Sequence, residues 1–514
     1  MFKDIQKKLL LKYPLLWNTK FVPMVAIGIL MHIIFFGLGY IDGTIDFSNK
    51  NNIDIISFSI MIGILSVIII VILWLVAYFK NNALKSFYRK SKNSLFFEWM
   101  QIFVICVLLI SFYVPFSIGK QLHQRSYYSL EETAKRCKTI STADIFIDGS
   151  FGDTEIDSLA SGLIDSQGNK IAQTNANYAN EQDIEANTVD SAVALRYKDH
   201  IIFNNKKYDQ FSLLNRNTFE FSVISREQDS INKIQVDTWL QNKNEGEIKK
   251  LMADYMSLIR EHNLATNLNA TKWFEITYKA PDFNEFLYIQ PYLKEFETEN
   301  SYQYNDYETA VAVPYGENKY SKYFVQQDIL KDKYDIVADA YTDSFIEIEM
   351  ILSFLYGAFG LSILIFSFRV TSGKSWLIAV VVTGVINVIY GIFTAIAGSS
   401  TMYFYLILAT ILGVLFYFFL IFFNKKSLQL SRIALNLALW SFSTIIPIVY
   451  FLTMEANKPR YYVNYNLQRY EDSKLYNWLN EHLIHMLSLN FVLVILSLFF
   501  LSKIIRNWRG IAEN

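Results

Sequence analysis

Eight runs of about 19 to 24 apolar residues punctuate this chain, each long enough to carry a helix across the ~30 Å hydrocarbon core of a bilayer. They fall at roughly 21–40, 56–79, 100–118, 346–368, 376–397, 402–423, 433–454 and 484–505. More than two hundred polar residues separate the first three from the last five. A water-soluble globule has no place for so many uninterrupted apolar stretches. The pattern therefore predicts a polytopic α-helical membrane protein with eight transmembrane helices, three plus five, and one large domain inserted between helices 3 and 4. The first run is longer than a signal-peptide core and no small-residue cleavage site follows it, so it reads as a span.

Lysine and arginine in the short loops set the orientation. The N-terminus (Lys3, Lys7, Lys8, Lys12, Lys20), the second loop (Lys80, Lys85, Arg89, Lys90, Lys92), the fourth (Arg369, Lys374), the sixth (Lys425, Lys426, Arg432) and the C-terminus (Lys503, Arg506, Arg509) are all basic. This places both termini in the cytoplasm. The first loop, with Asp42, Asp46 and Asp54 against Lys50, lies outside, as do the 119–345 domain and a loop at 455–481. The expected organisation is an interfacial segment 1–20, helices 1–3 over 21–118, an external domain 119–345, helices 4–8 over 346–505 and a cytoplasmic tail 506–514.

The overall charge of −1 gives no case for a nucleic-acid partner. Cys106 lies in the third run and Cys137 is alone in the inserted domain, so that domain must be held by its own core and not by a disulfide. Its pattern suggests a mixed α/β module. Gln121 to Arg136 is charged and free of Gly and Pro, which extends the third span as a helix. Ile248, Leu251, Met252, Tyr255, Met256 and Ile259 recur at spacings of three and four, which predicts an amphipathic helix over 245–262. Ala143 to Asp148, Val193 to Asn204, Thr218 to Ser225 and Trp273 to Lys279 are rich in β-formers and read as strands. Asp153 to Asp190, full of Gly, Ser, Asn and Asp, reads as loops.

From Tyr278 to Tyr341 the chain is dense in tyrosine: Tyr288, Tyr292, Tyr302, Tyr304, Tyr307, Tyr315, Tyr320, Tyr323 and Tyr334. Such density suits a surface that binds peptide, sugar or protein, but the plainer reading is a core with tyrosines at its rim. Ser372-Gly373-Lys374-Ser375 matches the tail of a phosphate-binding loop, yet the position that needs the first glycine is Phe368 and the segment joins two spans. Neither G-x-S-x-G nor H-E-x-x-H occurs. His482 and His485 with Glu481 could share a helix face, and interfacial histidines are the more ordinary explanation. No catalytic residues, cofactor or metal are expected.

Inside the spans, His32 is the ionisable residue, with Asn387, Asn436, Pro447 and Asn490 as the other polar or kinking positions. These are candidate pathway residues, weighed against the commoner role of helix-packing contacts. Glu347 and Glu349 sit at the outer lip of the fourth span. Energy for any transport would then come from another chain. Phe2 to Trp17 places Ile5, Leu9, Leu10 and Leu16 among lysines, a basic amphipathic segment that turns at Tyr13-Pro14. Leu84 to Asn93 is a second basic patch, and Lys85, Arg89 and Lys90 are its candidate docking residues.

The run Tyr13-Pro14-Leu15-Leu16-Trp17-Asn18-Thr19-Lys20 resembles the elbow helix of ABC-2 type permeases and the start of multi-span proteins associated with ABC exporters of Gram-negative bacteria. The likeness covers about the first forty residues. Such permeases typically have six spans and no large external domain after the third, so the family pattern is departed from twice. The resemblance implies a permease or accessory subunit working with a separate cytosolic ATPase, its periplasmic domain contacting cargo or a partner protein. The alternative is a periplasmic sensor or envelope assembly factor anchored by the bundle. A third reading, an enzyme acting on lipid-linked substrates, has only the outer loop 458–485 with Arg460, Arg469, Glu471, Asp472, Glu481 and His482 to rest on, which reads more simply as a solvated connector.

Overall fold

A computed structural model describes residues 11–50, 55–80, 93–147, 201–203, 206–208, 218–277, 324–424, 429–459, 461–464, 467–470 and 473–507. Among the described residues eight helical segments are long and apolar enough to cross a membrane, and they are Phe21–Asp42, Ile56–Phe79, Ser94–Arg125, Ile348–Val370, Gly373–Ala397, Thr401–Leu420, Leu430–Ala456 and Leu483–Arg506. The chain is a helical, multi-pass membrane protein. It divides into two compact units: one of Met1–Gly39, Ile55–Gly119 and Phe345–Asn514, the other of Tyr40–Asp54 and Lys120–Ser344.

In the first unit, a short helix α1 (Pro14–Asn18) precedes α2 (Phe21–Asp42) and α3 (Ile56–Lys80). The third span is two helices in line, α4 (Ser94–Ile110) and α5 (Tyr113–Arg125). The turn after α1 is tied to its neighbours: Thr19 Oγ1 donates to Gln101 Oε1 (2.7 Å) and its carbonyl accepts from Trp74 Nε1 (2.8 Å). A Cβ on Gly39 would lie 1.9 Å from the Phe116 carbonyl oxygen, and one on Gly28 would lie 2.9 Å from Leu108 Cβ. Gly28 and Gly39 are about three helical turns apart, so they share one face of α2. Without side chains there, α2 approaches the third span backbone to backbone, the usual way to gain packing between helices in lipid.

The third span starts earlier than its apolar run, at Ser94, and this brings a second ionisable residue into the bundle beside His32. Glu98 is buried, accepts from Tyr78 OH at 2.7 Å and meets Arg369 Nε at 3.4 Å. Arg369 belongs to α11 (Ile348–Val370), which packs along α4. Trp99, Phe103, Phe359 and Phe366 belong to the apolar core of this unit, Trp99 stacking on Phe103 and meeting Phe359 edge-on.

The remaining spans are α12 (Gly373–Ala397), α13 (Ser400–Asn424), the interrupted seventh span α14 (Gln429–Ser441) and α15 (Ile445–Ala456), and α17 (Leu483–Asn507). Between α15 and α17 come a hairpin of β3 (Tyr461–Asn464) and β4 (Leu467–Tyr470) and an amphipathic helix α16 (Lys474–Glu481). The Ser372-Gly373-Lys374-Ser375 motif is a helix start: Ser372 Oγ accepts from the Ser375 N–H at 3.3 Å, capping α12.

The second unit corrects the expectation of a mixed α/β domain. Among its described residues the only paired strands are β1 (Ile201–Phe203) and β2 (Lys206–Tyr208), a two-stranded hairpin. Its core is helical: α6 (Leu130–Asp144), α7 (Arg226–Gln241), α8 (Glu245–Glu261), α9 (Ala270–Thr277) and α10 (Gln327–Thr342). The amphipathic stripe on α8 is buried as its spacing requires, against Cys137, Ile140, Trp273, Leu330 and Tyr334. Of the strand expected over 273–279, residues 273–277 lie in the helix α9: Trp273 and Phe274 are both buried, and a strand would send adjacent side chains to opposite faces. Of the strand expected over 143–148, residues 143–147 fail likewise: Ala143, Ile145, Phe146 and Ile147 are all buried where α6 ends. Thr218 to Ser225 is a turn region that ends in the cap of α7, where Ser225 Oγ accepts from the Gln228 N–H. The helix expected over 121–136 is broken at Ser126 to Ser129, where Ser129 caps α6 through the Glu132 N–H. The segment Asp153 to Asp190, most of 193–204 and the tyrosines from Tyr288 to Tyr323 lie outside the described residues.

Candidate functional site

The seventh span breaks in its middle. α14 ends at Ser441, residues Phe442–Thr444 form one turn of 3-10 helix, and α15 resumes at Ile445. The cause is Pro447, which has no N–H to give the carbonyl four residues back, on Ser443, and whose ring crowds that carbonyl. A freed carbonyl inside a bilayer needs another donor. Asn490 of α17 supplies it: Asn490 is 1% exposed, and its Nδ2 donates to Ser443 O at 3.1 Å and to Tyr356 OH at 2.7 Å. Two polar positions of the spans are thus one device.

Beside the break is a half-enclosed cavity of about 600 Å³, walled by α12, α13, α14 and α15. Asn387 lies on its wall. Its Nδ2 donates to Thr383 O at 2.8 Å and its Oδ1 accepts from Tyr403 OH. Thr410 Oγ1 donates to Leu406 O at 2.9 Å, so in the neighbouring contact Tyr390 OH is the donor to Thr410 Oγ1, at 2.5 Å. Ser441, Thr444 and Pro447 bring the break itself to the lining, and Ile407, Ile411, Val414 and Phe451 make the apolar side.

Of the five candidate pathway positions, the structure brings Asn387 and Pro447 to this cavity. His32 is half-buried between α2 and the third span, its Nε2 2.9 Å from Leu108 O and 3.3 Å from Ser111 Oγ. Asn436 is fully buried and accepts from Thr371 Oγ1 at 3.1 Å, with no partner for its Nδ2 among the described residues. These two join helices, as Asn490 does. Lys85, Arg89 and Lys90 lie outside the described residues. His482 binds back to Trp478 O at 2.9 Å through Nδ1, and no group of three or more metal-ligating side chains occurs among the described residues.

Thr383, Tyr390, Tyr403 and Thr410 were not among the candidates read from sequence. A signal for them exists. Thr383, Asn387 and Tyr390 stand at i, i+4 and i+7 on α12, and Tyr403 and Thr410 at i and i+7 on α13, one polar stripe on each apolar helix. Glu98 was missed because it precedes the apolar run of its span.

The second unit has a pocket of its own, about 440 Å³, where Glu220, Asp229, Asp335 and Asp339 face Arg226 and Ser225. Burial, with Asp339, Asp332 and Asp343 nearby, raises the Asp335 carboxyl to about 6. Asp229 is committed to Lys233 at 2.8 Å. Deeper in the same unit Arg136 binds Glu132 (2.6 Å), Glu261 (2.8 Å) and Tyr334 OH (2.9 Å), and that hydroxyl also meets His262 Nε2 at 2.9 Å. Burial holds His262 below its ordinary value, with Arg136 acting in the same direction.

No protein-family model, curated protein or solved structure matches this chain.

Proposed function

We propose that this protein is the membrane subunit of a transport complex, and that the cavity between α12, α13, α14 and α15 holds cargo on its way across the bilayer. The broken seventh span carries this reading. Irregular backbone at membrane depth is tolerated only where protein or a cavity surrounds it, and discontinuous helices are the form that substrate sites take in transporters. Here the break, an intramembrane cavity and facing polar stripes coincide. The basic loops support termini in the cytoplasm of a bacterial inner membrane and the inserted unit in the periplasm. The elbow-like start of the chain supports a separate cytosolic ABC-type ATPase as the source of energy, docked through Lys85, Arg89 and Lys90, with the subunit itself non-enzymatic.

Purification of the tagged protein in a gentle detergent, with mass spectrometry and an ATPase assay of the complex, tests the proposal. Stoichiometric recovery of a nucleotide-binding protein is the expected result. Recovery of the chain alone, or of periplasmic proteins alone, overturns it. One observation favours a second reading, a periplasmic sensor or assembly factor: the inserted unit has its own polar pocket, with Asp335 raised to about 6. Under that reading, periplasmic partners come down without an ATPase.

A further inference from the structure

The cavity beside the break, read as a binding site, has a chemistry that narrows its ligand. We propose that it takes a neutral, hydroxyl-headed amphiphile from the bilayer, with the head at Asn387, Tyr390 and Tyr403 and the apolar body against Ile407, Ile411 and Phe451. This assignment rests on the reading of the cavity as a cargo site.

Charge decides the first half. No Asp, Glu, Lys, Arg or His lines the cavity among the described residues. A charged head would lose its hydration at membrane depth and find no counter-ion there, a penalty that excludes it against a neutral competitor. Hydrogen-bond inventory decides the second half. Asn387 spends one Nδ2 hydrogen on Thr383 O and its carbonyl on Tyr403, which leaves a second N–H without a partner among the described residues. Tyr403 and Tyr390 each donate their one proton within the protein, to Asn387 and Thr410, and keep oxygen lone pairs. The polar stripe thus offers one donor and two acceptors, and an alcohol, which both donates and accepts, is its complement. A ketone or ester could use only the donor.

Shape and access agree. At about 600 Å³ the cavity is in the range of sites for small organic ligands. α12 and α13 are the least buried spans, with 6% and 11% of their most apolar windows covered, so this end of the unit is open to lipid. The occupant therefore comes from the hydrocarbon phase and carries an apolar body.

The test uses the full-length protein in phosphatidylcholine nanodiscs with three diazirine-bearing probes of one acyl chain: a monoacylglycerol, a lysophosphatidic acid and a fatty amine. Labelled peptides are mapped by mass spectrometry. The monoacylglycerol is expected to label α12, α13 and α15 at least about tenfold more than either charged probe, whose head finds no counter-ion in the cavity. Unlabelled monoacylglycerol should compete. Tyr403→Phe, which keeps the ring, and Asn387→Leu should each reduce labelling several-fold in protein that remains folded. Equal labelling by all three heads would mean an adventitious acyl chain and overturn the proposal, as would unchanged labelling in Tyr403→Phe. Cross-linking of two copies through α12 or α13, with no probe incorporated, would assign the cavity to a subunit interface instead. The labelling does not depend on an ATPase, so its failure and that of the transport reading are told apart.

Discussion

Asn490 offers a measurement that isolates one physical cause. Asn490→Leu keeps the volume near that of the original side chain but removes two hydrogen bonds, to Ser443 O and Tyr356 OH, from a residue that is 1% exposed. A buried bond is worth about 0.5 to 1.5 kcal/mol, and an acceptor left unsatisfied adds about 1 to 3. Interhelical bonds in membranes run lower, at about 0.6 on average and 1.7 at most. Together these give about 2 kcal/mol, roughly a 30-fold rise in the unfolded fraction. The second variant is Pro447→Ala. It restores an N–H that can close the helix onto Ser443 O, so Asn490 is no longer the donor that carbonyl depends on. In that background Asn490→Leu should cost about 1 kcal/mol less. Equilibrium unfolding in mixed micelles of mild detergent and SDS gives all four corners of the cycle. Additivity within about 0.3 kcal/mol would show that Pro447 and Asn490 act separately and refute the account of the break.

Gly39→Val should destabilise the first unit by about 3 kcal/mol, since the new Cβ meets the Phe116 backbone, which cannot swing aside as a side chain would; a thermal melt at wild-type temperature would contradict this. Arg369→Met removes the guanidinium that lies 3.4 Å from the buried Glu98 carboxylate and should destabilise the first unit by up to about 3 kcal/mol, whereas Arg369→Met with Glu98→Met should recover most of the loss, read by the yield of folded protein in detergent. Asp335→Asn bears on pH. The native carboxyl titrates at about 6, above its ordinary 3.8, so it opposes folding when ionised and this opposition fades as pH falls through 6. The variant should therefore stabilise the second unit at pH 8 and make no difference near pH 4, by hydrogen exchange of α10; a gain that persists at pH 4 would contradict the sign. His262 runs the other way. Its depressed value means that the unfolded chain takes up a proton first, so lowering the pH through about 6.5 weakens the Tyr334 cluster, and His262→Gln should flatten that loss in the exchange of α8.

Some elements were legible because their cause is local. The spans are of this kind: lipid offers the backbone no partners, so each segment must be apolar and helical by itself, residue by residue. The helix over 245–261 was legible because its apolar stripe repeats at the helical period within one segment. Ser372 was recognisable as part of a turn and not a nucleotide site by its place between two spans.

Other features depend on what arrives from elsewhere in the chain. Trp273 and Phe274 carry strong β preference, yet they sit in a helix because α8 and α6 offer a surface that buries both. The asparagines of the spans looked alike in sequence, but Asn490 repairs a carbonyl on a helix more than forty residues away, Asn436 meets Thr371, and Asn387 is the one of these three that reaches the cavity. Sequence by itself determined that this chain lives in a membrane and where it crosses, since solvent acts on every residue independently. Which polar groups meet, and hence which of them are free to bind a ligand, was decided only by the tertiary structure, because a hydrogen bond requires two partners and the chain places them far apart.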